Sequence, residues 1–517
     1  MDLRLRALCD ISAPICREYA GRHEYDGEVQ DLSPDGVARA LAALGGPAYP
    51  DPYDEALALA KEDEARAALG ELRLHRRNPL LHLLNLDLAC YDREYAPEPD
   101  RAAARQRHLA GWPEAVDMAL ASLDELSAPV AEATLDAVRG LAAGLAPGSD
   151  DTTDAALAAH ARLVAHVEAA AARPDGPDPA LGGAGLVRLL SASEATDVDL
   201  TALGKHADAE RDRLLAMLAD AVAVVSPGRP AADVVLELLR DHPDADGVLD
   251  EARALTAEVI AWTRRTGLAP YHDGTCLVGP APASRQWAMA MMSWSAPGEP
   301  DGPSWYHVTP PQPSWPAEEQ EEWLQVFSRT SLPAITVHEV APGHFSHGLA
   351  LRHASSEVRQ TLMSEAFVEG WAHYVEEVAV EEGFRADDPR FAAGVAVEAL
   401  IRVTRLACAI GLHTGELTVA DAARRFERDA FLKGPAALSE ARRGTFDPTY
   451  GRYTWGKLAI QALRKRARSA WREEFSLPRF HRAMLDLGSP PLGLLDYALA
   501  PATSPAASAD PAAAGRP

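Results

Sequence analysis

Long tracts of Ala, Leu, Arg and Glu, cut at intervals by Pro and Gly, fill most of this 517-residue chain and commit it to helix. Those four residue types lose little conformational freedom on entering a helix, whereas Pro and Gly end one. Helical patterns run over residues 54–77, 113–145, 150–172, 199–225 and 231–240. Ser33-Pro34 and Asp150/Asp151 mark helix starts, where a capping side chain or a first-turn proline fits. From Leu268 to Trp315 the composition turns to Pro, Gly, Ser and Trp. Two short runs there, 287–294 and 305–309, read as strands of a small antiparallel ribbon. Helical pattern resumes at Pro316 and lasts to about Leu499. The expectation is a mainly α protein: an N-terminal helical region over 1–267, a second region over 268–499 carrying the ribbon, and a disordered Ala/Pro/Ser tail over 500–517.

Charge and cysteine usage remove several function classes. With 50 Lys and Arg against 76 Asp and Glu, the formal charge is −26. So acidic a surface is unsuited to nucleic acid or anionic lipid, both of which need basic contacts to phosphate. Five scattered cysteines, an odd number without ligand spacing, read as free thiols rather than a disulfide framework or a zinc knuckle. The first twenty residues lack an apolar leader segment, and no stretch reaches about 18 uninterrupted apolar residues. A cytoplasmic protein is expected.

One segment carries chemistry: Thr336-Val-His-Glu-Val-Ala-Pro-Gly-His344. A zinc hydrolase needs two imidazoles held together and a carboxylate beside them to take a proton from water. In H-E-x-x-H the histidines lie about 40° apart on a helix, but His338 and His344 are six residues apart, about 240° round an unbroken one. Pro342-Gly343 offers the remedy. Pro342 has no N–H for the carbonyl of His338 and Gly343 tolerates unusual dihedrals, so a bulge here would return His344 to its partner. Glu339 is the candidate general base. A third ligand is expected from the next helix, where Glu365, Glu369, His373 and Glu377 share one face at i, i+4 steps. Spacing alone does not separate Glu365 from Glu369. His347 and His353 read as structural or as partners that orient the ligands. Taken singly, each of these residues would be read as a helix-end histidine or a solvated acidic face; it is the set that points to metal.

The same residues resemble those of the bacterial domain-of-unknown-function 885 family, marked by H-E-x-x-P-G-H and a later E-G-W. Further similar pieces are Trp305-Tyr-His-Val-Thr-Pro-Pro-Gln-Pro-Ser-Trp-Pro-Ala-Glu-Glu-Gln320, Arg443-Gly-Thr-Phe-Asp-Pro-Thr-Tyr450, Tyr453-Thr-Trp-Gly-Lys-Leu458, Asn78-Pro-Leu-Leu-His-Leu-Leu-Asn-Leu-Asp87 and Tyr91-Asp-Arg-Glu-Tyr-Ala-Pro97. That family is similar in turn to helical peptidases such as carboxypeptidase Taq, thimet oligopeptidase and angiotensin-converting enzyme. The resemblance implies a large helical metallopeptidase-like shell with the ribbon near the active-site cleft. It also implies a zinc ion on His338, His344 and Glu369, since in those peptidases the Glu ligand follows the second His by about one helix–loop–helix step. Two departures stand out: Phe345 where many relatives have His, and His373 where many have Leu.

The implied reaction is amide hydrolysis of short peptides, carboxypeptidase-like or oligopeptidase-like. Zinc would lower the pKa of a bound water toward ~7, and Glu339 would take its proton and pass it to the leaving amine. Tyr450, Tyr453 and, more weakly, His413 are candidate donors to the developing oxyanion, with aromatic core packing the competing reading for the tyrosines. Arg405 and Arg452 are candidate clamps for a substrate carboxylate, against surface salt bridging as the commoner fate of any single Arg. The 305–315 segment could offer a strand edge to an extended peptide. Two other readings remain: hydrolysis of a non-peptide amide in specialised metabolism, and a non-catalytic helical binding protein. Oligomeric state is left open, a homodimer included. Gly451-Arg-Tyr-Thr-Trp-Gly-Lys457 imitates a phosphate-binding loop, but Leu458 replaces the required Ser or Thr.

Overall fold

Residues 1–500 apart from Pro174, Trp287 and Pro300 are described by a computed structural model, so most of the expected 500–517 tail lies outside the described residues. The chain is mainly helical, and its helices begin where the capping signals stand. Ser33 accepts from the Gly36 N–H ahead of Pro34, and Asp150 from that of Thr153, each satisfying one donor that the first helical turn leaves unpaired. The pattern over 113–145 resolves into two helices, Trp112–Ser122 and Ala128–Gly140. Ser127 caps the second through Val130 N–H, and a proline stands in its first turn.

Three strands form one small mixed sheet in the order β1-β3-β2, where β1 is Cys276–Gly279, β2 is Ala290–Ser293 and β3 is Ser304–Val308. The expected antiparallel ribbon is the β2–β3 pair, with Met292 opposite Tyr306. Strand β1 was not expected; it runs parallel to β3, Val278 beside Tyr306. A four-residue run with little alternation gives no signal of its own, and its partner lies a crossover away.

Packing does not divide the chain at residue 267. One core joins Leu5, Leu57, Val259 and Trp262 to Tyr306, Val337, Phe367, Trp371 and Phe480. A second joins Leu186, Leu214 and Val234 to Leu400, Phe426 and Tyr450. A third, around Leu86, Trp112, Val116 and Leu163, draws almost wholly on the first half of the chain. The helices on either side of the expected boundary therefore bury their apolar faces against each other, which is where helical stability comes from.

Two helices, Glu365–Glu381 and Arg452–Trp471, approach unusually closely. A Cβ on Gly370 would stand 2.5 Å from the Gly456 Cα, and one on Gly456 1.9 Å from the Ala366 carbonyl oxygen. Two facing glycines let the backbones touch, and so carry Tyr453 to the level of His338.

Candidate metal centre

The helix Leu332–Glu339 ends one residue after His338, and a new helix, His344–Leu351, starts at the second histidine. The expected bulge within one helix is instead a full break. Its cause is steric and local. Gly343 lies so close to the end of the first helix that a Cβ would meet the His338 oxygen at 1.9 Å and the Val337 oxygen at 2.5 Å. Only glycine fits there. The break is held from outside by Trp371, whose Nε1 donates to the Pro342 oxygen at 3.0 Å. The result is that the rings of His338 and His344 stand 4.7 Å apart, edge to face.

The following helix brings the carboxylate. Ser364 caps it through Phe367 N–H, and one turn in, Glu369 Oε2 lies 3.4 Å from Nε2 of His338 and 3.4 Å from Nε2 of His344. One ligand atom from each residue lies within 4.8 Å of the others. Around a tetrahedral zinc with ligands at about 2.0–2.1 Å, neighbouring ligand atoms sit about 3.4 Å apart. Glu369 Oε2 is buried and makes no hydrogen bond. A buried carboxylate oxygen with no donor, aimed between two imidazole nitrogens, is costly unless a cation is there to be held. The residues present fit a zinc ion. Glu365, the alternative, points away: its side chain is 66% exposed and lies 3.3 Å from Arg452.

Electrostatics set the neighbours apart. Glu339 is buried beside the cluster, and burial pushes its carboxyl above the usual range, against the pull of His344 and His338. Burial and Arg402 both disfavour a charged His338, yet the carboxylates of Glu369 and Glu376 beside it raise it to about 9. Burial raises Glu369, but the two histidines hold it well below the carboxylate range.

Sequence reasoning missed Glu376 and Arg402. Glu376 is fully buried, and its Oε1 lies 2.6 Å from His338 Nδ1 while its Oε2 accepts from Arg402 Nη1 at 2.9 Å. The available signal was its position, seven residues after Glu369 and three after His373, on the same helical face. His373, buried, lies 3.4 Å from the other side of the same carboxylate.

The remaining candidates divide. The Tyr453 ring lies 6.2 Å from that of His338, nearly parallel, with the guanidiniums of Arg402, Arg405 and Arg452 within 5.8, 5.3 and 5.9 Å of its centre. Tyr450 is fully buried in the second core, and the groups around it are Cys408, Glu440, Arg405 and Arg443. His413 lies further off. It stands eleven residues along the Pro389–Thr414 helix from Arg402, about 16 Å by helical rise, and accepts from Leu181 N–H. Burial pushes its imidazole down to about 4. Arg405 and Arg452 do not present open forks: Arg405 holds Glu440 at 2.8 and 2.6 Å, and Arg452 holds Asp447 at 2.8 and 3.1 Å. His347 bonds the Gly488 carbonyl and Ser489, while His353 stacks on Tyr271. Lys457, the false phosphate-loop lysine, is buried between Glu210 and Glu377.

Fold and cluster together give a mainly helical protein with a three-donor His/Glu cluster that could hold a metal ion. The chain belongs to the bacterial protein family of unknown function DUF885, whose model matches residues 14–499. Two solved structures share the fold. One, of a candidate lipoprotein of unknown function from Shewanella oneidensis, is 19% identical, with a TM-score of 0.74 over 95% of this chain and 97% of that one. The other, of a candidate lipoprotein from Colwellia psychrerythraea, is 15% identical, with a TM-score of 0.75 over 96% and 97%. No curated protein matches in sequence. Among the described residues, no helix is long and apolar enough to cross a membrane.

Proposed function

We propose that the protein is a zinc-dependent hydrolase of amide bonds, acting on short peptides, with His338, His344 and Glu369 as ligands and Glu339 as general base. The observation that supports it most is the convergence of both Nε2 atoms on the unbonded Glu369 Oε2, with a buried carboxyl one residue from His338. A zinc ion held there would polarise a carbonyl and acidify water toward ~7. Glu339 then takes the proton of the attacking water. Its raised pKa suits both accepting that proton and giving it to the leaving amine. Tyr453, whose ring packs on His338, would donate its hydroxyl to the oxyanion, a contribution typically worth ~10²–10³ in rate.

The internal pairing of Arg405 and Arg452 favours one form of this reading. Each guanidinium already grips an internal carboxylate at two points, which favours an oligopeptidase over a carboxypeptidase. A non-peptide amide would use the same machinery. A mixed peptide library digested with and without a chelator, and read by mass spectrometry, tests the proposal. Cleavage that stops with chelator and returns with zinc is expected; no chelator-sensitive cleavage of any peptide would sink the peptidase reading.

A further inference from the structure

The two histidines of the candidate centre are not equivalent. Arg402 carries only donors, so the Glu376 carboxylate that it bonds at 2.9 Å serves as an acceptor. The other oxygen of that carboxylate lies 2.6 Å from His338 Nδ1, which must therefore be the donor. That fixes the ring: Nδ1 donates to Glu376, and Nε2 is the nitrogen that faces Glu369. His344 has no such support: among the described residues its Nδ1 is buried without a hydrogen-bond partner, and its ring contacts are the His338 ring and Trp294, 6.3 Å away.

We propose that Glu376, held by Arg402, is a positioning residue that makes His338 the dominant ligand, leaving His344 as the weaker arm that completes the site. A carboxylate on the far nitrogen fixes the tautomer, stops ring rotation and raises the basicity of the ligating nitrogen; loss of such a partner commonly costs 10–100-fold in metal affinity. The same arginine also lies 5.8 Å from the Tyr453 ring. One buried cation thus braces both the ligand and the phenol beside it. The inference rests on the metal-centre reading and adds an order of importance within it.

The test uses the full chain, with zinc affinity from chelator competition and the visible spectrum of the cobalt(II)-loaded protein. Glu376→Gln keeps volume and removes charge; it should weaken zinc 10–100-fold and shift the cobalt bands, with an unchanged far-ultraviolet circular dichroism spectrum. His338→Ala should weaken zinc at least ten-fold more than His344→Ala. If Glu376→Gln fails to fold, that histidine comparison decides alone. Parent-like affinity and spectrum in Glu376→Gln, or equal losses in the two histidine variants, overturn the inference while leaving the centre in place. A parent protein that binds neither zinc nor cobalt overturns the metal-centre reading itself and this inference with it.

Discussion

Two buried charge clusters sit side by side on the helix Glu365–Glu381, and they are built to opposite rules. Glu377 faces a closed cluster: Lys457 bonds Glu377 and Glu210 at 2.6 and 2.5 Å, and Arg213 bonds both carboxylates at 2.7 Å. Glu376, one residue earlier, faces an open one. There Glu369 Oε2, His344 Nδ1 and His373 Nε2 are buried without hydrogen bonds. A closed ionic cluster locks helices together, and removing one member leaves a costly unpaired charge. An open cluster spends stability on groups that await a ligand, which is the usual trade at functional sites. Burial and charge alone do not tell the two apart; satisfaction of the polar atoms does.

The sharpest way to break that contrast is chemical. Glu339→Gln should bind zinc normally and lose ~10²–10⁴ in turnover, because shape is kept and the basic oxygen is gone. Near-parent turnover on the best peptide would refute the base assignment, and lost metal would make Glu339 a ligand. On the closed side, Lys457→Met leaves Glu210 and Glu377 without their shared cation and should destabilise by about 3–5 kcal/mol in denaturant unfolding. A stable Lys457→Met protein would show that the cluster is not closed in the sense argued.

The two sides should also fail at opposite ends of the pH scale. Burial would raise Glu377, but Lys457 and Arg213 hold it down to about 2. A carboxyl so depressed stabilises the fold above its unfolded value of about 4.5, and that stability, on the order of 3 kcal/mol, is lost as pH falls from 4.5 toward 2. His338 is raised to about 9 from 6.5. Its contribution to the metal-free protein is complete below 6.5 and is lost as pH rises from there through 9. Thermal melts across pH should show the alkaline loss without metal and not with zinc bound, since the ligated ring no longer carries that second proton. Identical alkaline profiles with and without zinc would contradict the assignment of His338.

A smaller effect is expected from Tyr453→Phe: a rate loss of ~10²–10³ at most, below that of Glu339→Gln, with zinc retained. Retention of full rate would leave the ring as packing for His338 and nothing more.

Much of this contrast was legible in the residues. Pro342-Gly343 announced the break, and Glu369 stood on the expected face of the next helix. What spacing left open between Glu365 and Glu369 is a matter of position along the helix: Glu365 stands exposed at its first residue, and Glu369 a turn further in beside the histidines. Glu376 escaped notice because it lies two turns on, where an acidic residue reads as surface unless the Pro389–Thr414 helix is known to cover it with Arg402. Arg405 and Arg452 were candidates for clamps, with salt bridging at the surface the commoner fate; they are salt-bridged, but in the interior, to Glu440 and Asp447. Tyr450 and Tyr453, three residues apart, part company for a physical reason. Tyr450 precedes the helix and turns into the second core, while Tyr453 lies in its first turn beside His338. The β1 strand was invisible, four residues whose partner is set by tertiary packing.

The central claim is that the open cluster holds one zinc ion through Glu369 and not through its neighbour on the same face. Elemental analysis of gently purified parent, Glu369→Ala and Glu365→Ala proteins measures it directly. The account predicts about one zinc per chain in the parent and in Glu365→Ala, and almost none in Glu369→Ala. Full metal in Glu369→Ala, or its loss from Glu365→Ala alone, would contradict it.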